Sequence, residues 1–216
     1  MSWRVSWPTW SGRIRPTACR TSEKTDDALK IQNDDLSEEE LEKFLTTALG
    51  LASEHCKPGG AWYVASPPGP LFVTFGTVLR RLGIMRQTLI WAKDAFVLGR
   101  GDYHYRHEPI CYGWKPGAAH HFVSDRTQDS IWEVPRPRAS ADHPTMKPVE
   151  LVRRALRNSS DRGAIVAEPF GGSGTTLLAA EQEGRVARVI EKDPRYCDVI
   201  VRRWSEMTGG SAEKLA

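Results

Sequence analysis

The sequence predicts an α/β fold: a mostly parallel sheet with helices on both faces. Two observations lead there. Short apolar runs alternate with segments of helical periodicity from Thr25 onward. A buried-looking run, "AIVAEPF", ends in a glycine-rich turn that opens at once into a helical pattern. A chain of 216 residues suffices for one such domain with its own core, or for one domain plus a small insertion.

Each element has its own signal. "SEEELEKFLTTALGLASEHC" offers Ser37 as N-cap and Glu40 as capping-box partner, with Leu41, Phe44, Leu45, Ala48, Leu49, Leu51 and Ala52 on one side. Lys57 to Gly60 should end that helix, with "AWYVAS" following as a short strand. "GTVLRRLG" reads as a helix closed by Gly83, and "RQTLIWAK" and "EPICYGW" as strands around a loop or hairpin tip, "DAFVLGRGDYHYRH". "KPGAAHHFVSDRTQDSIWEVPRPRASAD" is rich in turn formers and reads as an irregular excursion. A helix over Val149 to Asn158 precedes the glycine turn, and a helix from Thr175 to Glu183 follows it. "RVARVIEKD" is a further strand, and Pro194 opens the last helix.

Bulk properties narrow the classes. A net charge of +3 and a pI near 8.7 are compatible with nucleic acid without demanding it. Cys19, Cys56, Cys111 and Cys197 are scattered and form no CxxC pair, so they read as free thiols of a reducing compartment. No apolar run approaches the ~20 residues of a membrane span, and a soluble cytoplasmic protein is expected. His104 with His107, and His120 with His121, lack the Cys or carboxylate partners of a metal site, so no metal is expected.

The glycine turn, Glu168-Pro169-Phe170-Gly171-Gly172-Ser173-Gly174-Thr175-Thr176, sets the cofactor question. A P-loop requires a Lys after its last glycine, and here Thr175 follows Gly174. A GxGxxG dinucleotide fingerprint places its third glycine where Leu177 stands. A cofactor without pyrophosphate, passing close to bare backbone, fits better, and S-adenosylmethionine is one. Glu191, about twenty residues downstream at a strand end, is then placed to accept both ribose hydroxyls. A plain strand-to-helix turn with a solvated carboxylate is the alternative.

"EPFGGSGTT", "VIEKDPRY" and a preceding "HPTMKPVEL" together resemble the DNA amino-methyltransferases that act on adenine N6 or cytosine N4. Glu168 stands where that family usually has Asp. The order of motifs is similar to the family's β-type permutation, common in phages and in bacterial restriction–modification, and "KIQNDD", residues 89–120 and "RTQDSIWE" extend the resemblance over residues 24–209. The resemblance implies a Rossmann-like S-adenosylmethionine-dependent methyltransferase fold over 24–216. In it, 143–209 is the cofactor half and 94–142 a target-recognition excursion. It implies that the turn, Glu191 and Asp193 hold the cofactor while His143, Pro144, Thr145 and Lys147 close over its methionine end. It also implies a double-stranded DNA partner, in the cytoplasm of a bacterium or phage-infected host.

DNA contacts are expected where cations and aromatics interleave, at Arg100, Tyr103, His104, Tyr105 and Arg106, and from Lys115 and Arg126 in the excursion. Trp114 and Trp132 read as core.

The chemistry-bearing loop is missing. The family's [DNS]PP[YFW] motif accepts the amine protons and stacks a ring on the flipped-out base. At its place stand Ile14, Arg15, Pro16 and Thr17, and "SPPG" at Ser66 to Gly69 follows a different strand and lacks a ring. Residues 1–23 hold an acid-free stretch with three Trp and four Arg and no periodicity, features of a transit peptide or a tail. A frame shift explains more: Trp7 to Thr17 can be encoded so that dropping two bases gives Ala-Asp-Met-Val-Trp-Thr-Asp-Pro-Pro-Tyr. On that account residues 1–23 are non-native and pack poorly. Adenine-N6 methylation is the expected function, with cytosine-N4 methylation or an inactive remnant binding only cofactor and DNA as alternatives. A methyltransferase for protein or small molecules fits residues 84–133 less well.

Overall fold

The computed structural model describes residues 36–96, 98, 101–137 and 146–215, and the backbone of Trp3–Ser6. Within them the chain runs β1 (Trp3–Ser6), α1 (Glu38–His55), β2 (Cys56–Ala65), α2 (Leu71–Arg81), β3 (Met85–Ala92) and β4 (His107–Trp114). It continues through β5 (Ile131–Glu133), α3 (Val149–Ser159), β6 (Ile165–Glu168), α4 (Thr175–Glu183), β7 (Val186–Val189) and α5 (Pro194–Thr208).

The seven strands form one sheet in the order β5-β3-β4-β2-β1-β6-β7. Every neighbouring pair is parallel except β2·β4 and β3·β4. Six strands therefore point one way and β4 alone runs against them, as the alternation of strands and helices predicts. The arrangement gathers the ends of β1, β2, β3, β5, β6 and β7, together with the start of β4, along one edge.

Alternation along β2 fixes the two faces. Trp62 and Val64 pack with Leu41, Leu45 and Leu49 of α1 and Phe75, Val78 and Leu79 of α2. Ala61, Tyr63 and Ala65 point to the other side, against Leu151, Val152, Ala155 and Leu156 of α3 and Ala179 and Ala180 of α4. Successive strand residues face opposite ways, so β2 supplies both cores. Helix α1 starts where expected: the Ser37 side chain accepts the Glu40 amide, and the Glu40 carboxylate accepts the Ser37 amide at 2.8 Å. Leu51, read as part of its apolar side, is exposed.

Several expectations need correction. Lys57 to Gly60 do not separate α1 from the strand. They belong to β2, with Gly59 at φ +75° donating its amide to the Lys115 carbonyl at 2.8 Å. The irregular excursion contains a strand, β5, which pairs with β3 and buries Trp132. Within residues 1–23, Trp3–Ser6 is no coil: it is a central strand, with Val5 and Ser6 paired to Ala61 and Trp62 on one side and to Val166 and Ala167 on the other. Ile14, Arg15, Pro16 and Thr17 lie outside the described residues, as do Arg100, His143, Pro144 and Thr145.

Candidate cofactor site and nucleic-acid face

The glycine turn connects β6 to α4 at the edge where the parallel strands end. Its shape is set by backbone bonds to the chain leaving β7: the Ile190 amide donates to the Glu168 carbonyl and the Gly171 amide to the Ile190 carbonyl, both at 2.8 Å. Glu168, fully buried, ties the turn internally. One carboxylate oxygen accepts the Phe170 amide and the other the Thr176 hydroxyl, each at 3.0 Å. The extra methylene of Glu relative to Asp carries that carboxylate across to α4.

The glycines are required for distinct reasons. A Cβ on Gly171 would lie 2.6 Å from Val189 Cγ1, and one on Gly174 would lie 2.9 Å from Ile200 Cγ1. Gly172 sits at φ +53°, in the left-handed region that other residues avoid. Gly174 precedes α4 without any side-chain cap, so the first amides of the helix stay available at this edge. Phe170 turns away, toward Phe44 of α1 at 5.8 Å between ring centroids. Ser173 and Thr175 are buried, and the Thr175 hydroxyl donates to the Lys147 carbonyl at 3.3 Å.

Glu191 lies two residues past β7, against the turn. One oxygen accepts the Gly172 amide at 2.6 Å and the other the Asp193 amide at 2.9 Å. A carboxylate oxygen has two lone-pair directions, so each retains one for a ligand hydroxyl. The two remaining acceptor positions and the bare backbone at Gly172 fit a ribose. Asp193, also expected at the cofactor, has another occupation: it caps α5 through the Arg195 amide at 3.0 Å and pairs with the Arg195 guanidinium at 2.6 Å.

Lys147 reaches this edge from the segment before α3, and its buried ammonium meets Glu108 Oε2 at 2.6 Å. Glu108 also takes Lys93 Nζ on its other oxygen at 2.7 Å. Burial pushes the Glu108 carboxyl up, but Lys147 and then Lys93 outweigh it and hold it down to about 2. Motif reasoning misses this group. Its one sign in the sequence is an acid at the second position of an otherwise apolar strand.

The β3–β4 connection overhangs the same edge, because β4 runs opposite to its neighbours. Tyr103 is 90 % exposed, and His104, Tyr105 and Arg106 are also exposed. His104 stacks on Phe96 and Tyr105 meets His107 edge-on. Trp132 is core as expected, while Trp114 is half-buried between His120 at 3.7 Å and Arg86 at 5.0 Å.

The other two expected DNA contacts sit elsewhere. Lys115 follows β4 and so lies at the opposite edge, where its ammonium donates to the Ser53 and Cys56 carbonyls at 2.5 and 2.7 Å. Arg126 is exposed in the loop that returns along that opposite edge to β5. His121 approaches Asp161 there at 3.8 Å.

A mostly parallel sheet with this turn and strand-end acid at one edge is the Rossmann-like architecture of methyltransferases. The chain belongs to the DNA methylase family, whose family model matches residues 21–202. The DNA adenine methyltransferase YhdJ of Escherichia coli is 28 % identical over 170 residues, 63 % of this chain and 58 % of that protein. The chain thus spans under two thirds of that relative's length. In fold it is similar to the M1.HpyAVI–SAM complex, with a TM-score of 0.68 at 18 % identity, covering 94 % of this chain and 89 % of the other. It is likewise similar to the cytosine-N4-specific PvuII DNA methyltransferase, with a TM-score of 0.69 at 15 % identity over 94 % and 79 % of the two chains.

Proposed function

We propose that this domain is built for transfer of a methyl group from S-adenosylmethionine to the N6 amine of adenine in DNA, and that Ile14, Arg15, Pro16 and Thr17 leave the chain as written all but inactive in that transfer. Convergence carries the reading: the glycine turn, Glu191 and the exposed aromatic tip between β3 and β4 lie along one edge of the sheet. Glu191 would take the ribose hydroxyls on its two remaining lone pairs. The turn would bring backbone rather than side chains against the cofactor, and Lys147, with His143, Pro144 and Thr145 before it, would border the amino-acid end. S-adenosylmethionine, when bound, would supply an electrophilic methyl group carried on a sulfonium. Tyr103, His104, Tyr105 and Arg106 would meet the DNA by stacking and by phosphate contact, and Arg100, near them in sequence, is assigned to the same role.

The preference for adenine rests on the similarity to the E. coli adenine enzyme. A binding-only remnant is the second reading, favoured by Ile14-Arg15-Pro16-Thr17, which offers neither the acidic acceptor nor the ring of the family motif. Incubating the chain and duplex DNA with labelled S-adenosylmethionine, then separating the nucleosides, tests both. Label in N6-methyladenine supports the transfer reading, label in N4-methylcytosine replaces the target, and binding without label leaves the remnant.

A further inference from the structure

Lys93, Glu108 and Lys147 form a compact cluster at the base of the β3–β4 tip. Lys93 follows the end of β3, Glu108 is the second residue of β4, and Lys147 comes from the segment before α3. The lysine side chains are 9 % and 8 % exposed and the Glu108 side chain 20 %, so all three are mostly buried. Both ammonium groups lean over the Trp91 ring, at 5.0 and 5.7 Å from its centroid.

Among the described residues the charge of this cluster does not balance. Two ammonium ions share one carboxylate, leaving a net charge of about +1 in a mostly buried place, where unpaired charge is costly. Each ammonium has three donors, and among the described residues Glu108 is the acceptor for one from each. The Lys147 carbonyl, in turn, accepts from Thr175 at the first residue of α4, so the cluster abuts the glycine turn.

Resting on the cofactor reading, we propose that Lys93, Glu108 and Lys147 form a seat for one anionic group, with Glu108 as the positioning residue that holds the two lysines side by side. The anion completes the charge balance and takes the donors Glu108 leaves over. A carboxylate on the amino-acid end of the cofactor and a phosphate of the DNA both have this chemistry, and the cluster lies between the two binding regions. The family resemblance gives Lys93 no role, so its part in binding is a separate expectation.

The test compares three probes on the full chain: S-adenosylhomocysteine, 5′-methylthioadenosine, which lacks the amino-acid end, and a short DNA duplex. Lys93→Met leaves a balanced Glu108–Lys147 pair, and thermal melting checks that it folds. If the anion is the cofactor's carboxylate, Lys93→Met weakens S-adenosylhomocysteine about tenfold, the order for one charge-assisted hydrogen bond, and leaves 5′-methylthioadenosine unchanged. If it is a DNA phosphate, only duplex affinity falls, and the slope of log affinity against log salt drops by about one. Glu108→Gln should reduce affinity for the same probe as Lys93→Met, because both lysines remain but are no longer held. A folded Lys93→Met chain with unaltered affinity for all three probes overturns the seat and leaves the cluster a structural clamp. Failure of the cofactor reading shows differently: Glu191→Ala then leaves both nucleosides unaffected, whatever Lys93→Met does.

Discussion

Glu191 grips the glycine turn through the Gly172 amide, at 2.6 Å. The bond joins the end of β7 to the middle of the turn, so acid and turn keep one geometry. Truncation by Glu191→Ala removes this bond, the Asp193 bond and the ribose acceptors together. Binding of S-adenosylhomocysteine should fall at least tenfold, since a hydrogen bond to a charged group contributes about 1.5–3 kcal/mol. Gly172→Leu places a branched side chain at φ +53° and should abolish binding as well. Calorimetry on both variants decides, and unaltered affinity in both would remove this pocket from the cofactor.

Gly171 and Gly174 serve packing more than ligand. A methyl on Gly171 meets Val189 Cγ1 at 2.6 Å and the Ile190 carbonyl oxygen at 3.2 Å. Gly171→Ala should therefore destabilise the fold by about 1–3 kcal/mol, the usual range for overpacking. Adding Val189→Ala frees the nearest atom and should recover part of the loss in a urea melt. Gly174→Ala meets the Ile200 side chain and also sits at φ +79°, so a smaller residue at position 200 should recover less.

Much of the fold is legible in the sequence because its signals are local. The Ser37–Glu40 capping box, the 175–183 helix after the glycines and Pro194 at the start of α5 each depend on residues a few positions apart, and all three stand in the structure. Lys57 to Gly60 mislead because a Lys-Pro-Gly-Gly run normally marks a turn. Pairing of Gly59 with Lys115, far along the chain, draws it into β2 instead. The Glu108–Lys147 pair spans 39 positions and has no periodic signature. Lys115 and Arg126 are expected at the DNA through their place in the excursion, whereas the reversed direction of β4 sends the chain after it to the edge opposite the tip.

That reversal yields a contrast. Tyr103→Ala and Arg106→Ala should weaken duplex binding without altering the melting temperature, since both side chains are exposed. Loss of one stacked ring costs about 1–3 kcal/mol of affinity. Lys115→Met should do the reverse, lowering stability through the lost bonds to Ser53 and Cys56 while leaving DNA affinity in place. Gel-shift titrations and thermal melts of the three variants separate the edges. Equal DNA losses in all three would contradict the assignment of the tip.

Glu108 makes stability depend on acid pH. Its carboxyl is held down to about 2, against an ordinary 4.5, so its contribution is complete above about pH 4.5 and fades as pH falls toward 2. Wild type and Glu108→Gln should differ most near neutrality. The gap should narrow by about 2 kcal/mol between pH 6 and pH 3, with each tenfold change in proton affinity worth about 1.4 kcal/mol. Urea midpoints at the two pH values measure it. A constant gap would mean that the lysines do not hold the carboxyl down.

Activity depends on the segment that leaves β1. Ser6, the last residue of that strand, pairs with Ala167, one position before Glu168, so the chain leaves the sheet beside the glycine turn. This is the edge where an amine-binding loop is needed. The sequence downstream places Ile14, Arg15, Pro16 and Thr17 where the family resemblance expects an acidic or amide acceptor, two prolines and a ring. Arg15 would bring positive charge toward a sulfonium and toward an amine whose protons need acceptors. Losing such positioning and electrostatic groups commonly costs several orders of magnitude in rate. The chain as written should therefore methylate DNA negligibly while still binding S-adenosylhomocysteine. A version with the shifted frame restored, bearing Asp-Pro-Pro-Tyr in that place, should label adenine. Incorporation of labelled methyl by the two proteins, side by side on the same duplex, is the measurement. Robust labelling by the chain as written would show that another loop, with Ser66 to Gly69 the first to mutate, supplies the acceptors; the shifted-frame account already fails at Trp3–Ser6, which it expects to be coil and which is a central strand.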